Sequence, residues 1–433
     1  MAHNYLIKEG CYDGVLQMSS VPRAFIQKCV VGGRTMCAEN KKSLNFHDES
    51  GKLFSDFDAV SLYPSAMARM KGLLKGKPKI IKTFEPEKYD GYFICIKVKS
   101  IEKKYKFPCV SLLTDEGIRK WTNELVGEYL YLDKTGLEDF VKYHGAEYEF
   151  VNGYYYDEGH NGTIRNVINH LFNQRLKFKK EKNPIQMVFK ELMNSSYGKS
   201  YLKPIDSDCK YVPADEFDKY MDRNFNYIKE ATKLANGKYF KVKFYKAIDN
   251  HFNNVHVGVE ILSMSKRIMF EVMTLAEDLD MDMRITDTDS IHIDSSRIDE
   301  LSAEFNKKYG RELIGKMMGQ FHTDFDLDGS VGDIHATRSI FLGKKCYVDE
   351  LKGYDKDGNE LIDYHIRMKG IPNDCIIHKA DTEYGGDIIA LYKDLYDGKE
   401  VSFNLLAVRP KFEMCKDMQI ITKTKFDRKI SFK

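Results

Sequence analysis

The run Ile285-Thr-Asp-Thr-Asp-Ser-Ile-His-Ile293 constrains this chain most, because it places two carboxylates, Asp287 and Asp289, two residues apart between β-branched and apolar flanks. The alternation predicts two short strands joined at the Asp-Thr-Asp turn, with both acids at the hairpin tip. Crowded carboxylates repel one another, and a divalent cation removes that cost. An ordinary acidic turn gives the same local pattern, so this run alone leaves both readings open.

A third carboxylate lies far upstream. Residues 51–64 (GKLFSDFDAVSLYP) read as a strand running into a turn, with Asp58 at the strand end. The backbone N–H groups of that turn are available to a phosphate. Mg²⁺ takes oxygen ligands and leaves room for substrate phosphates, and two such ions form a clamp for in-line displacement at phosphorus. Asp56, in the same stretch, reads as a solvated strand residue, and His292 as an outward strand residue.

The third element is residues 183–198, NPIQMVFKELMNSSYG. Asn183 is placed to cap a helix, Pro184 to start it and Gly198 to end it. Lys190, Asn194 and Tyr197 share one helical face, while Ile185, Val188, Phe189 and Leu192 cluster opposite as the docking side. A cation, an amide and a ring are thereby offered to one ligand. The expected helix runs over 164–198 with a break at Asn183-Pro184. Another, amphipathic, covers 255–280, and strand-like runs fill 89–112 and 128–156.

Composition sets the class. The chain has 433 residues, 42% hydrophobic and 30% charged, a globular balance with room for two or three packed subdomains. Its nine cysteines include no Cys-x-x-Cys, which argues against a zinc site and against a disulfide framework. No apolar run is long enough to span a bilayer, and the first residues are too polar for a signal peptide, so a cytoplasmic protein without membrane partners is expected. The net charge of +2 is uninformative, but Arg175-Leu-Lys-Phe-Lys-Lys and the tail from Arg409 to Lys433 are basic. Each fits a phosphate backbone or a solvated face.

Taken together, Asp58-x-x-Ser-Leu-Tyr-Pro, Lys190-x-x-x-Asn-Ser-x-Tyr-Gly and Asp287-Thr-Asp-Ser resemble motifs A, B and C of family B DNA polymerases, in that family's order. Gly32-Gly33-Arg34 resembles the element linking exonuclease to polymerase, with Val30 where a tyrosine is usual. Lys345-Cys-Tyr347 resembles the Lys-x-Tyr motif, and Lys369-Gly370 suits the start of a DNA-gripping thumb. The resemblance implies an α+β right-hand fold with an antiparallel palm sheet, helical fingers and a small mixed thumb. The expected division is a linking segment at 1–45, palm with a first insertion at 46–164, and fingers at 165–202. A second insertion at 203–248, palm at 249–354 and thumb at 355–433 complete it.

Asp58 and Asp289 would be the metal ligands for two Mg²⁺ (Mn²⁺ substituting), with Asp287 as the third catalytic carboxylate. Ser61, Leu62, Tyr63, Lys190, Asn194 and Tyr197 would meet the incoming dNTP. Gly32, Gly33, Arg34, Gly198, Lys345, Tyr347 and Lys369 would meet primer-template DNA. The long stretch between Lys190 and Asp289, mainly 203–245, resembles the second terminal-protein-region insertion of the protein-primed polymerases of phages and linear plasmids; a surface loop accounts for it equally. The implied activity is template-directed addition of dNTPs to a primer 3′-OH in viral or mobile-element replication, in the host cytoplasm if viral. No exonuclease motif set accompanies it, which implies either a separately encoded exonuclease chain as partner or a truncated product; the resemblance of 203–245 adds a terminal protein as an expected partner. Two alternatives stay open: a reverse transcriptase or other palm-type transferase, and a catalytically weak or inactive DNA-binding fragment that needs a partner chain.

Overall fold

The hairpin forms as the alternation predicts. Strands Met283–Asp287 and Ser290–Asp294 pair antiparallel around Thr288, which takes a left-handed φ of 71°. The structure is a computed structural model that describes residues 2–202, 207–246, 253–405, 412–414, 420–422 and 426–432. About half of the basic tail from Arg409 onward, with six of its eight Lys and Arg residues, lies outside these.

The hairpin is part of an antiparallel sheet whose strands run in the order Thr35–Cys37, Met283–Asp287, Ser290–Asp294, Phe54–Ala59, Val331–Gly343, Cys346–Tyr354 and Glu360–Met368. Chain segments hundreds of residues apart thus become neighbours, and Ser290 lies directly across from Asp58. The helix Val255–Asp278 packs within the core. It is buried almost all round rather than amphipathic, with polar Ser263, Ser265, Thr274 and Glu271 buried beside its apolar residues. A helix hydrophobic on every side belongs inside a core rather than on its surface. It carries the helices Ser20–Gln27, Leu62–Arg69 and Lys134–His144 around it.

The strand runs in 89–112 and 128–156 form a second sheet, Gly91–Ser100 between Glu147–Tyr156 and Tyr129–Asp133. Residues 207–245 form a third, with strands Ser207–Pro213, Tyr239–Tyr245 and Ile228–Lys233 in that order. Its own small core is Val212, Val242 and the stacked rings of Phe217 and Phe240, 3.7 Å apart. This stretch is therefore a folded module rather than an irregular loop.

Strand Glu360–Met368 pairs with Cys346–Tyr354 along its whole length, so the carboxylate sheet continues past 354. The C-terminal helices Asn373–Glu383 and Ile388–Tyr396 pack on that end of the sheet, with Leu391, Tyr392 and Phe403 against Ile340, Val348 and Ile366. No helix among the described residues is long and apolar enough to cross a membrane.

Candidate active site

Strand Phe54–Ala59 is buried along its length and ends where Asp58 reaches the sheet edge. The Ala59 N–H donates to the Asp289 carbonyl at 2.8 Å, and the Asp289 N–H to the Asp287 carbonyl at 2.9 Å. These bonds fix both acidic segments at one end of adjacent strands. Burial first, then the charges of Asp289, Asp324 and Asp56, pushes the Asp58 carboxyl up to about 8. Burial, with Asp287 and Asp56 adding to it, raises Asp289 to about 6. Two carboxyls so far above their usual range mark a site short of positive charge. The carboxylates gathered here offer only oxygens, which fits a hard divalent cation. Asp287 is already engaged: Lys345 Nζ donates to its two oxygens at 2.6 and 2.9 Å, and Thr35 Oγ1 at 3.1 Å.

After Asp58 the chain turns through Ser61, in a left-handed conformation at φ 51°, into the helix Leu62–Arg69. Arg175, from the helix Thr163–Lys180, donates to Ser61 Oγ at 3.0 Å. The sequence reading singled out the basic run containing Arg175 but not this link to the turn. Tyr63 stacks on Tyr197 with ring centroids 4.3 Å apart, and Tyr197 stacks on Tyr201 at 5.7 Å. Burial, then the charges of Tyr201 and Asp289, pushes the Tyr63 hydroxyl up to about 12. Tyr63 and Tyr197, far apart in sequence, therefore form one aromatic wall beside the carboxylates.

The helix Gln186–Ser195 brings Lys190, half-buried, and Asn194, exposed. The Asp324 carboxyl, held down first by His322, is also lowered by the Lys190 charge, and Asp324 in turn acts on Asp58. Lys190 thus lies within electrostatic reach of Asp324. The docking side differs from expectation. Ile185 and Val188 are 47% and 55% exposed, while Met193 and Ser196 are buried and Phe189 stacks on Phe178. Gly198 does not end the helical run, which continues as a 3-10 turn through Tyr201.

Several residues expected to meet DNA or nucleotide are engaged within the protein. Arg34 is 3% exposed and donates to the carbonyls of Phe107 and Pro108 at 2.5 and 2.8 Å. Its guanidinium lies 4.9 Å from the Phe270 ring, and its own carbonyl accepts the Thr288 N–H. It clamps the 107–108 loop to the central helix beneath the acidic turn. Arg34→Met is expected to cost about 2–4 kcal/mol of stability, because two buried carbonyls lose their donor. DNA affinity of the folded fraction should be unchanged; a weakened affinity at unchanged melting temperature would restore the contact role. Gly33 serves the same turn: a Cβ there would lie 2.6 Å from Thr288 Cγ2. Tyr347 is buried against His292 and Phe341, and the Leu62 side chain is buried in the core. Lys369 is exposed; Gly32 and Gly198 have open space around them.

Asp56 and His292 are likewise not solvated. They pair directly across adjacent strands and are 9% and 1% exposed. Burial lowers His292, but Asp349 and Asp56 overcome it and carry the imidazole up to about 9. Alternation was the available signal: Asp56, two residues before Asp58, must share its face.

A family model described as DNA polymerase type B, organellar and viral, matches residues 12–279. A DNA polymerase of Acidianus bottle-shaped virus (isolate Italy/Pozzuoli) is 57% identical over 36 residues, 8% of this chain and only 6% of that protein. In fold the likeness covers the whole chain. An orthorhombic crystal form of Phi29 DNA polymerase aligns with a TM-score of 0.66 at 17% identity, over 100% of this chain and 68% of that one. Phi29 DNA polymerase complexed with primer-template DNA and incoming nucleotide substrates aligns with a TM-score of 0.63, also at 17% identity and over 68% of its length. The fold is the α+β right hand of a polymerase. The family match takes in Asp58 and Lys190 and stops short of Asp287 and Asp289, which strand pairing joins to Asp58. With more than half of its residues under that model, the chain belongs to the organellar and viral type B DNA polymerases.

Proposed function

We propose that this chain catalyses template-directed addition of dNTPs to a primer 3′-OH. The observation that carries the reading is the half-buried carboxylate pair Asp58 and Asp289, set at one end of adjacent strands beside the Tyr63–Tyr197 wall. Two Mg²⁺ held there would lower the pKa of the primer hydroxyl and neutralise the leaving pyrophosphate. Asp58 and Asp289 would be the ligands, while Asp287 holds Lys345 against the hairpin. Lys190 faces the triphosphate, Arg175 braces the Ser61 turn beneath it, and Tyr63 and Tyr197 pack against sugar and base. Exposed Lys369, near Lys344 and Arg428, suits a phosphate backbone, through sequence-neutral contacts.

In this reading the carboxylate sheet is the palm, the helices from Thr163 to Ser195 are the fingers, and the helices after Met368 belong to the thumb. Primer extension by the purified chain, with and without Mg²⁺, tests the activity. No extension by a folded, DNA-binding chain in Mg²⁺ or Mn²⁺ favours the inactive-fragment alternative.

The 207–245 module supports a place in the protein-primed branch, with a terminal protein as partner. Being a folded sheet rather than a basic patch, it suits enclosure of DNA rather than electrostatic capture. Replacing 205–246 by a short linker is expected to shorten products in single-hit extension while single-nucleotide insertion at saturation stays within about twofold, roughly 0.4 kcal/mol. Unchanged product lengths would reduce the module to surface decoration.

A further inference from the structure

Four side chains that the proposed chemistry does not use meet inside the carboxylate sheet. Asp56 and His292 come from adjacent strands, Asp349 and His365 from the pair Cys346–Tyr354 and Glu360–Met368. The strand between these pairs, Val331–Gly343, joins Phe54–Ala59 only at Ala336 and Phe54. Beyond that point it pairs with Ser43–Phe46 instead, and side chains of the two flanking pairs meet, His292 against Asp349.

Asp349 is fully buried, and its Oδ2 accepts from both imidazoles, from His292 Nε2 at 2.9 Å and from His365 Nδ1 at 3.2 Å. A carboxylate oxygen only accepts, so both of these nitrogens carry protons. In the neutral rings the lone pairs then sit on His292 Nδ1 and His365 Nε2. His292 Nδ1 is buried with no hydrogen-bond partner, and so is Asp56 Oδ1, 3.7 Å away. That gap is too long for a hydrogen bond. One ligand atom from each of Asp56, His292 and His365 lies within 4.8 Å of the other two. Among the described residues this is the one histidine, cysteine or acidic trio so placed.

We propose that Asp56, His292 and His365 form a site for a borderline divalent transition cation of the zinc class, with Asp349 orienting both imidazoles from behind. A carboxylate that fixes the tautomer of a ligating histidine is the usual support of such centres. Two imidazoles and one carboxylate suit zinc better than magnesium, whereas the cleft above offers only oxygens. Bond lengths near 2.0–2.1 Å put tetrahedral ligands about 3.3 Å apart, so Asp56 and His292 need only a small approach. His365 is partly exposed and gives the ion a way in. Once bound, the ion would tie strands from both sides of the splayed sheet. It would also neutralise Asp56, whose charge acts on Asp58 and Asp289. The competing occupant is a proton on His292 Nδ1, which leaves the cluster as an ion pair.

The site does not depend on the polymerase reading, and its test separates the two. The full chain with Asp58→Asn and Asp289→Asn, which removes the cleft ligands, is loaded with Zn²⁺, desalted and assayed for metal content. It should retain a single zinc whose X-ray absorption shows imidazole scattering. Adding His365→Ala, or the near-isosteric Asp56→Asn, should weaken zinc affinity at least about a hundredfold, with folding checked by circular dichroism. Equal retention with and without either added change would place the zinc elsewhere and overturn the proposal. Failure of the folded parent to retain zinc would leave the cluster as the ion-paired histidine.

Discussion

Asp58→Asn or Asp289→Asn is expected to lower primer extension by at least about a thousandfold, roughly 4 kcal/mol of transition-state stabilisation, while making the metal-free protein more stable. The two effects have one cause. Folding carries Asp58 to about 8 and Asp289 to about 6, against an ordinary carboxyl near 3.8. As pH rises past 4 the unfolded chain releases these protons while the folded chain keeps them, so stability falls with pH until Asp58 ionises near 8. A raised carboxyl pKa is thus a penalty fully developed above the folded value and absent in acid. Asparagine removes that penalty, by a few kcal/mol at most because Asp58 is only partly buried. Thermal melts of wild type and Asp58→Asn in chelator should diverge with rising pH and converge near pH 4. Added magnesium should raise the wild-type melt and leave the variant's nearly unmoved. Extension near the wild-type rate, or a variant less stable at pH 8, would remove Asp58 from the metal-ligand set.

The features legible in the sequence were those set by local spacing. The Asp-Thr-Asp hairpin, the strand ending at Asp58 and the helical break at Asn183-Pro184 depend on alternation, turn chemistry and proline. Covering was not legible. Arg34 and Lys345 both read as cations beside a glycine or turn. Only tertiary packing shows that Arg34 is enclosed by Phe107, Trp121 and Phe270 while Lys345 reaches Asp287. Likewise, alternation puts Asp56 and Asp58 on one face. What encloses Asp56 comes from strands about 235 to 310 residues further along the chain, His292 and His365 among them. The Ile185 and Val188 face misled for the reverse reason: the pattern was amphipathic, but Phe178 meets the helix at Phe189, leaving those two side chains exposed.

Tyr63 ties the site to its substrate, and Tyr63→Val is expected to cut discrimination against ribonucleotides by roughly a hundredfold, about 2.7 kcal/mol. A pocket that merely tolerates an extra hydroxyl discriminates by only about a hundredfold, and hydrogen bonding to the sugar cannot reject an added 2′-OH. Hard contact with a rigid ring can. Rigidity here has a visible source, because Tyr63 is stacked on Tyr197, which is stacked on Tyr201, so the ring cannot swing away from the cleft without breaking a three-ring column. The backbone fixes its root as well: Ser61 is held by Arg175, and the Ser65 N–H donates to the Ser61 carbonyl at 2.9 Å. Tyr63 packs against the core without being enclosed by it, so valine should leave the fold intact and keep dCTP incorporation within about tenfold, roughly 1.4 kcal/mol. Tyr197→Leu provides the second arm. It leaves Tyr63 in place but removes its support, and so should relax selectivity less than Tyr63→Val does. Measured kcat/KM for dCTP and rCTP on one primer-template decides the matter. An unchanged ratio in Tyr63→Val, or a parallel fall of both activities with lost stability, would make Tyr63 a packing residue and leave ribonucleotide exclusion to another group.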